Sequence, residues 1–122
     1  MAEMLGKTKD ISFGVNILIT KEADYFLAHC LELDIVATGD TPDQAQREVI
    51  SLICAQIDYA FNYNNLENLY HPAPPEIWHQ FFSCNEQLER KYKLESIFTQ
   101  DQYSPTSMMP PPWLISKTCQ AN

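Results

Sequence analysis

The sequence predicts an α+β fold: a three-stranded antiparallel meander followed by an amphipathic helix, then a C-terminal helical extension and an irregular, proline-rich tail. Three observations carry this expectation. Residues 11–20 alternate apolar and polar side chains, the period of a strand with one buried face. Residues 39–45 read as the start of a helix, and residues 45–61 then repeat apolar side chains at helical spacing. With 122 residues, 45% of them hydrophobic, the chain has the size of one domain and enough apolar surface to build a core.

The elements follow in order. Ile11, Phe13, Val15, Ile17 and Ile19 form the apolar row of the first strand, against Ser12, Gly14, Asn16, Leu18 and Thr20. Lys21-Glu22-Ala23-Asp24 has the length of a hairpin loop. Tyr25 to Cys30 is aromatic and apolar enough for a second, antiparallel strand, and Ile35 to Thr38 makes a short third one after Leu31-Glu32-Leu33-Asp34. Gly39 allows an unusual backbone angle at the exit of the strand, Thr41 is a good N-cap, and Pro42 fits the first helical position. Asp43 suits the positive end of the helix dipole, and Gln44, three residues after Thr41, completes a capping box. Ala45, Val49, Ile50, Ile53, Cys54, Ile57, Ala60 and Phe61 then share one side of the helix, which ends at the asparagines of Asn62 to Asn65.

Beyond residue 65 the periodicity fades. Leu66 to Tyr70 fits either a helical turn or a short fourth strand. His71 to Pro75 is a proline spacer, and Pro75 opens a helix through Phe82. Ser83-Cys84-Asn85-Glu86 resembles a second capping box, which would carry helix on toward Phe98. Residues 99–122, with Pro105, Met108-Met109 and Pro110-Pro111-Pro112-Trp113, lack periodicity and read as a tail. The divisions are therefore 1–70, 71–98 and 99–122. The aromatics Tyr59, Phe61, Tyr63, Tyr70, Trp78, Phe81 and Phe82 are expected to form mainly a second small core between the two helices.

Charge narrows the function. Eight bases against 16 acids leave −8, and residues 1–60 hold ten of the acids and four of the bases, a local −6. A nucleic-acid interface needs a basic face to displace counterions, so direct nucleic-acid binding is not expected. Arg90, Lys91 and Lys93 read as a solvated helix face. No stretch has the ~18 apolar residues of a membrane span, and Met1 to Lys7 has no signal-peptide core. A cytoplasmic protein with reduced thiols is the expectation, because Cys30, Cys54, Cys84 and Cys119 contain no CxxC pair. A metal site from His29, Cys30, His79 and Cys84 lacks the usual paired spacing.

Catalytic patterns are missing too. A two-metal nuclease needs a carboxylate in its first strand, and residues 11–20 contain none. His29 and Cys30, as strand neighbours, point to opposite faces, and no GxSxG elbow occurs. No enzyme and no cofactor are expected, which leaves a binding protein.

Tyr25, Ala28, Cys30 and Leu33, followed by Gly39 through Ala45, resemble the pattern of the HicB-like family: strand, strand, an aromatic-x-x-Ala-x-Cys-x-x-Leu segment, then G-D-T-x-x-E/Q-A. The resemblance spans about residues 11–65. One departure is Leu33-Asp34-Ile35, where the family usually has a Pro-Gly step. The resemblance implies a partial ribonuclease-H-like fold, homodimerisation, and an antitoxin role against a small basic HicA-type mRNA-cleaving toxin. Residues 66–122 resemble neither of the operator-binding modules that many members carry. The alternatives are a stand-alone dimeric binding or scaffold protein without a toxin and, more distantly, a ribonuclease-H-like enzyme. Glu22, Asp24, Glu32 and Asp34, in the two loops flanking the second strand, are the expected partner-binding acids, with Trp78 and Phe82 as an apolar contact.

Overall fold

The computed structural model describes residues 12–94 and 113–121. Its elements are β1 (Ser12–Lys21), β2 (Phe26–Cys30), β3 (Ile35–Gly39), α1 (Pro42–Asn62), a 3₁₀ turn (Leu66–Asn68), α2 (Pro75–Phe82), β4 (Leu88–Lys93) and β5 (Trp113–Ala121). The strands form one mixed sheet in the order β3-β2-β1-β5-β4, with β1 at its centre. The β1–β2, β2–β3 and β4–β5 pairs are antiparallel, and β1–β5 is parallel. The class is α+β, as expected, but the meander is only part of a larger sheet.

Alternation in β1 does what its period requires. Val15, Ile17 and Ile19 are buried beneath α1, together with Ala28 and Cys30 of β2 and Ala37 of β3. From α1 come Val49, Ile53, Cys54 and Ile57, the expected stripe. Leu18 points the other way and is also buried, because α2 covers that face: Leu18, Leu31, Ala73, Phe81 and Cys119 form a second cluster. The core therefore lies on both sides of β1.

The strand-to-helix corner is built as its residues dictate. Thr41 is extended, and its Oγ1 accepts a hydrogen bond from the Gln44 N–H at 3.1 Å. Gln44 Oε1 accepts from the Asp40 N–H at 3.0 Å, one residue earlier than a standard capping box. Gly39 takes no left-handed φ, so the unusual angle expected of it is not used; it is needed for its closeness to α1, where a Cβ would lie 2.5 Å from the Ala45 nitrogen. At the far end Asn64 adopts a left-handed φ of 52°, and the Asn65 N–H reaches back to the Ala60 carbonyl at 2.7 Å.

The C-terminal half departs from expectation. Leu66–Asn68 is a 3₁₀ turn rather than a strand. The proline spacer is tied down, with the His71 and Ala73 N–H groups donating to the Glu32 and Leu31 carbonyls at 2.9 and 2.7 Å. It carries the chain to the second face of the sheet, where α2 begins at Pro75. After α2 the expected helical continuation is instead β4, an exposed and highly charged edge strand in which only Tyr92 is partly buried. Such charge protects an edge from pairing with another chain. The rest of that reading, residues 95–98, lies outside the described residues.

The largest difference is β5. Residues 113–121, read as tail, form a strand between β1 and β4. The α1 side of β5 carries Leu114, Ser116 and Thr118, so polar residues occupy core positions and hide the apolar period. Gln46, buried in the first turns of α1, satisfies them. Its Nε2 donates to Ser116 Oγ at 3.3 Å and to the Tyr92 hydroxyl at 3.1 Å, while Thr118 Oγ1 donates to its Oε1 at 3.0 Å. The remaining tail residues, 99–112 and 122, lie outside the described residues. Nor do the aromatics make one second core: Phe61 joins the α1 cluster, Phe81 the α2 cluster, and Tyr59, Tyr63, Tyr70 and Phe82 are exposed.

The packing sets the cost of three substitutions. Thr41→Ala removes one cap and should cost about 1 kcal/mol. Gly39→Ala drives a methyl into helix backbone that cannot yield as a side chain would, and should cost about 1–3 kcal/mol. Equal, negligible effects in urea titrations would mean that the corner is not tightly built. Ile53→Ala, fully buried between α1 and the sheet, should cost about 2–5 kcal/mol; a loss below ~1 kcal/mol would show that the site collapses freely, outside the usual range.

Candidate functional site

The β1–β2 hairpin displays Glu22 and Asp24, both exposed, and closes through the Glu22 N–H to the Tyr25 carbonyl at 2.8 Å. Because Phe26 pairs with Gly39, the end of β3 lies beside this hairpin. Asp40 and Asp43, exposed at the start of α1, therefore belong to the same end of the sheet. Asp43 Oδ1 is 3.5 Å from a guanidinium nitrogen of Arg90 on β4, a solvent-exposed pair that contributes little stability. The result is an acidic end built from two loops and one helix start.

Glu32 and Asp34 lie elsewhere, beyond the opposite end of β2, so the four acids expected together form two pairs. Both members of this second pair have partners within the fold. Glu32 is half-buried and accepts from the Asn16 N–H at 2.7 Å and from Asn16 Nδ2 at 2.6 Å. Desolvation pushes its pKa above the ordinary 4.5, and the Asn16 bonds offset part of that rise. Asp34 turns the chain into β3 with a left-handed φ of 54°, and its Oδ1 lies 2.6 Å from His29 Nε2. These contacts hold the β2–β3 loop against β1.

On α2, Trp78 and Phe82 stack with ring centroids 5.9 Å apart. Phe82 is 67% exposed while its neighbour Phe81 is buried. The expected apolar contact is thus a small aromatic surface on the second face, well separated in sequence from the acids. At the opposite end of the sheet from Glu22, Lys91 and Lys93 of β4 each place Nζ 5.9 Å from the Trp113 ring centroid. These lysines belong to a strand, not to the helix face the sequence suggests.

The cysteines divide into two kinds. Cys30 and Cys54 are free and buried in the α1 cluster, where burial pushes their thiols up to about 12 and about 11. Such thiols are poor nucleophiles. Cys84 and Cys119 form a disulfide, which corrects the expectation of four reduced thiols. Cys84 is therefore committed, and Cys30 faces α1 while His29 faces the α2 side. The four residues considered for a metal site cannot converge, and no cluster of three His, Cys, Asp or Glu suited to a metal occurs among the described residues.

A cleft of about 790 Å³ reaches round the ends of β1 and β5 between the start of α1 and the end of α2. Gln46, Arg90, Gln80 and both disulfide cysteines line it. Neither this cleft nor the Gln46 network follows from the local sequence pattern. The available signal was a glutamine inside an apolar helical stripe, which demands a polar partner when buried. Asp40 was readable too, since an antiparallel meander returns the end of its third strand to the first hairpin.

Comparison with protein-family models, with curated proteins and with solved structures gave no match. No helix among the described residues is long and apolar enough to cross a membrane.

Glu32 provides a pH test. Its raised pKa means that the folded state holds the proton more tightly than the unfolded chain. Stability therefore falls as pH rises from about 4.5 through the folded value. Glu32→Gln should flatten that fall, whereas Glu32→Ala should cost about 1–3 kcal/mol by leaving Asn16 donors unsatisfied. Urea titrations across this pH range measure both, and an alanine variant as stable as the parent would refute the structural role.

Proposed function

We propose that this chain is a HicB-like, non-catalytic protein that acts through protein–protein contact, as an antitoxin-type partner of a small basic HicA-type mRNA-cleaving protein. The observation that carries the reading is the convergence of the apolar motif residues after Tyr25, which itself stays exposed. Ala28, Cys30 and Leu33 are buried in the same cluster as Ala45, and Gly39 packs directly on the backbone of Gln44 and Ala45. A chance match at a strand-helix junction would not have to bring its separate parts into one packed unit. The family's Pro-Gly step also has a counterpart in conformation: Asp34 adopts the left-handed backbone that glycine takes most easily.

The charge pattern supports a basic partner. Glu22, Asp24, Asp40 and Asp43 gather at one end of a chain whose net charge is −8. Exposed acids of this kind steer a basic protein toward encounter more than they hold it. Glu32 and Asp34, engaged by Asn16 and His29, contribute to the loop's shape and play a lesser part in steering. A second reading, a dimeric scaffold without a toxin, is favoured by the outer strand β3, which among the described residues has a pairing partner on one side only and lacks the dense charge of β4.

The test begins with co-purification from the native host. A short basic protein whose RNA cleavage stops when this chain is added is the expected result. Failure of the recovered protein to cleave RNA, or cleavage unaffected by this chain, would overturn the antitoxin reading. A Glu22→Lys/Asp24→Lys double variant should then associate more slowly and with weaker salt dependence at ~50 and ~200 mM salt, where screening lengths differ about twofold. Equal, salt-independent association of variant and parent would remove the acidic end from the interface and leave Trp78 and Phe82 as the contact.

A further inference from the structure

We propose that the Cys84–Cys119 bond is a thiol-exchange site: a reducible clasp, reached through the cleft at the ends of β1 and β5, that fastens α2 to the sheet. The bond joins the segment just after α2 to the interior of β5, across 35 residues of sequence. In the sheet register Cys119 lies directly beside Leu18, the β1 residue that α2 covers. The disulfide is thus anchored at the centre of the second face.

Without the bond, α2 has little to hold it. Eight residues are too few for a helix to persist on its own. Its first turn has no side-chain cap, and Phe81 is its only fully buried side chain, with Ile77 and Trp78 partly buried. The helix also separates two clefts. Gln80 lines both the one of about 790 Å³ and a second of about 400 Å³ formed by Leu18, Leu27 and His29. Release of α2 would join them into one groove floored by Leu18 and Leu31.

The two sulfurs are placed for exchange in one direction. Both cysteines line the larger cleft; Cys84 is partly exposed and Cys119 is fully buried. The thiolate of a low-molecular-weight thiol attacks Cys84 Sγ, and the sulfur–sulfur bond breaks. Cys119 sulfur departs with the electron pair and takes up a proton. A second molecule of the thiol then attacks the mixed disulfide, releasing Cys84 as a thiol and the reductant as its own disulfide. The protein gains two electrons and two protons, and two thiols are oxidised. Cys30 and Cys54 stand outside this chemistry, buried in the α1 cluster on the other face. The inference does not rest on the antitoxin reading, and its test uses no partner.

The experiment is reduction of the native chain by glutathione, followed by alkylation with N-ethylmaleimide and peptide mass analysis. Hydrogen exchange of the same samples is followed in parallel. Protein prepared without reductant should take no label at Cys84 or Cys119; after reduction both should label, while Cys30 and Cys54 remain protected. Exchange over residues 75–82 should quicken by about tenfold or more, as for a locally opened unit, with β1 and α1 unchanged. A Cys84→Ser/Cys119→Ala variant should show the same exchange pattern without reductant. Free thiols at both positions before reduction, or labelling of all four cysteines together, would overturn the proposal. So would unchanged protection of α2 in reduced parent protein whose β1 exchange shows it still folded.

Discussion

The constraint on which the other contacts depend is the approach of the Gly39 backbone to Ala45. Because no side chain separates β3 from the first turn of α1, the helix starts against the sheet rather than beside it. That start fixes where Gln46 falls, one residue further on. Gln46 in turn reaches Ser116 and Thr118 of β5 and Tyr92 of β4, the elements furthest from it in sequence. A local backbone contact thereby decides how the C-terminal strands meet the N-terminal ones. The Gln46 contacts form a closed polar network in which buried donors and acceptors are matched, and such networks select one arrangement because a partly satisfied one is costly. Register, more than bulk burial, is what they supply.

The two faces of the sheet are held by different means. On the α1 face a long amphipathic helix contributes a continuous apolar stripe, and hydrophobic burial suffices. On the α2 face the cluster is small, the helix is short, and a covalent bond supplements the packing. Leu18 shows how the division arises. It lies on the polar row of β1, so its burial requires a cover that the meander and α1 cannot provide. The proline spacer, hydrogen-bonded to Leu31 and Glu32, brings the chain round to supply that cover.

The first half of the fold was legible because its rules are local. Alternation in β1, the Thr41 cap with Pro42 behind it, and the stripe of Val49, Ile53 and Ile57 each depend on residues within a turn or a strand. The second half was illegible for the opposite reason. Leu88 to Lys93 consists mostly of good helix formers, and only pairing with β5 makes it a strand. Trp113 to Ala121 looks aperiodic because Ser116 and Thr118 face the core, where polar residues are acceptable only beside Gln46. No window around residue 116 contains that information; it comes from α1, 70 residues away.

The same distinction governs the candidate site. Glu22 and Glu32 are the same residue type in loops of similar length, yet one is exposed and the other half-buried. The difference is Asn16, whose backbone and side-chain donors both converge on Glu32 from the neighbouring strand. A carboxylate held by two donors keeps its orientation when a partner arrives, and moving it would forfeit bonds already made. Among the described residues the hairpin acids Glu22 and Asp24 make no such bond to the strand beside them, and they act through their field. Charge counted along the sequence therefore overstates the acidic surface near β2 and understates it at the start of α1. There, Asp40 and Asp43 join the hairpin only because β3 runs back alongside β2. The acidic end belongs to the sheet topology, so the corner at Gly39 that seats α1 also places half of its carboxylates.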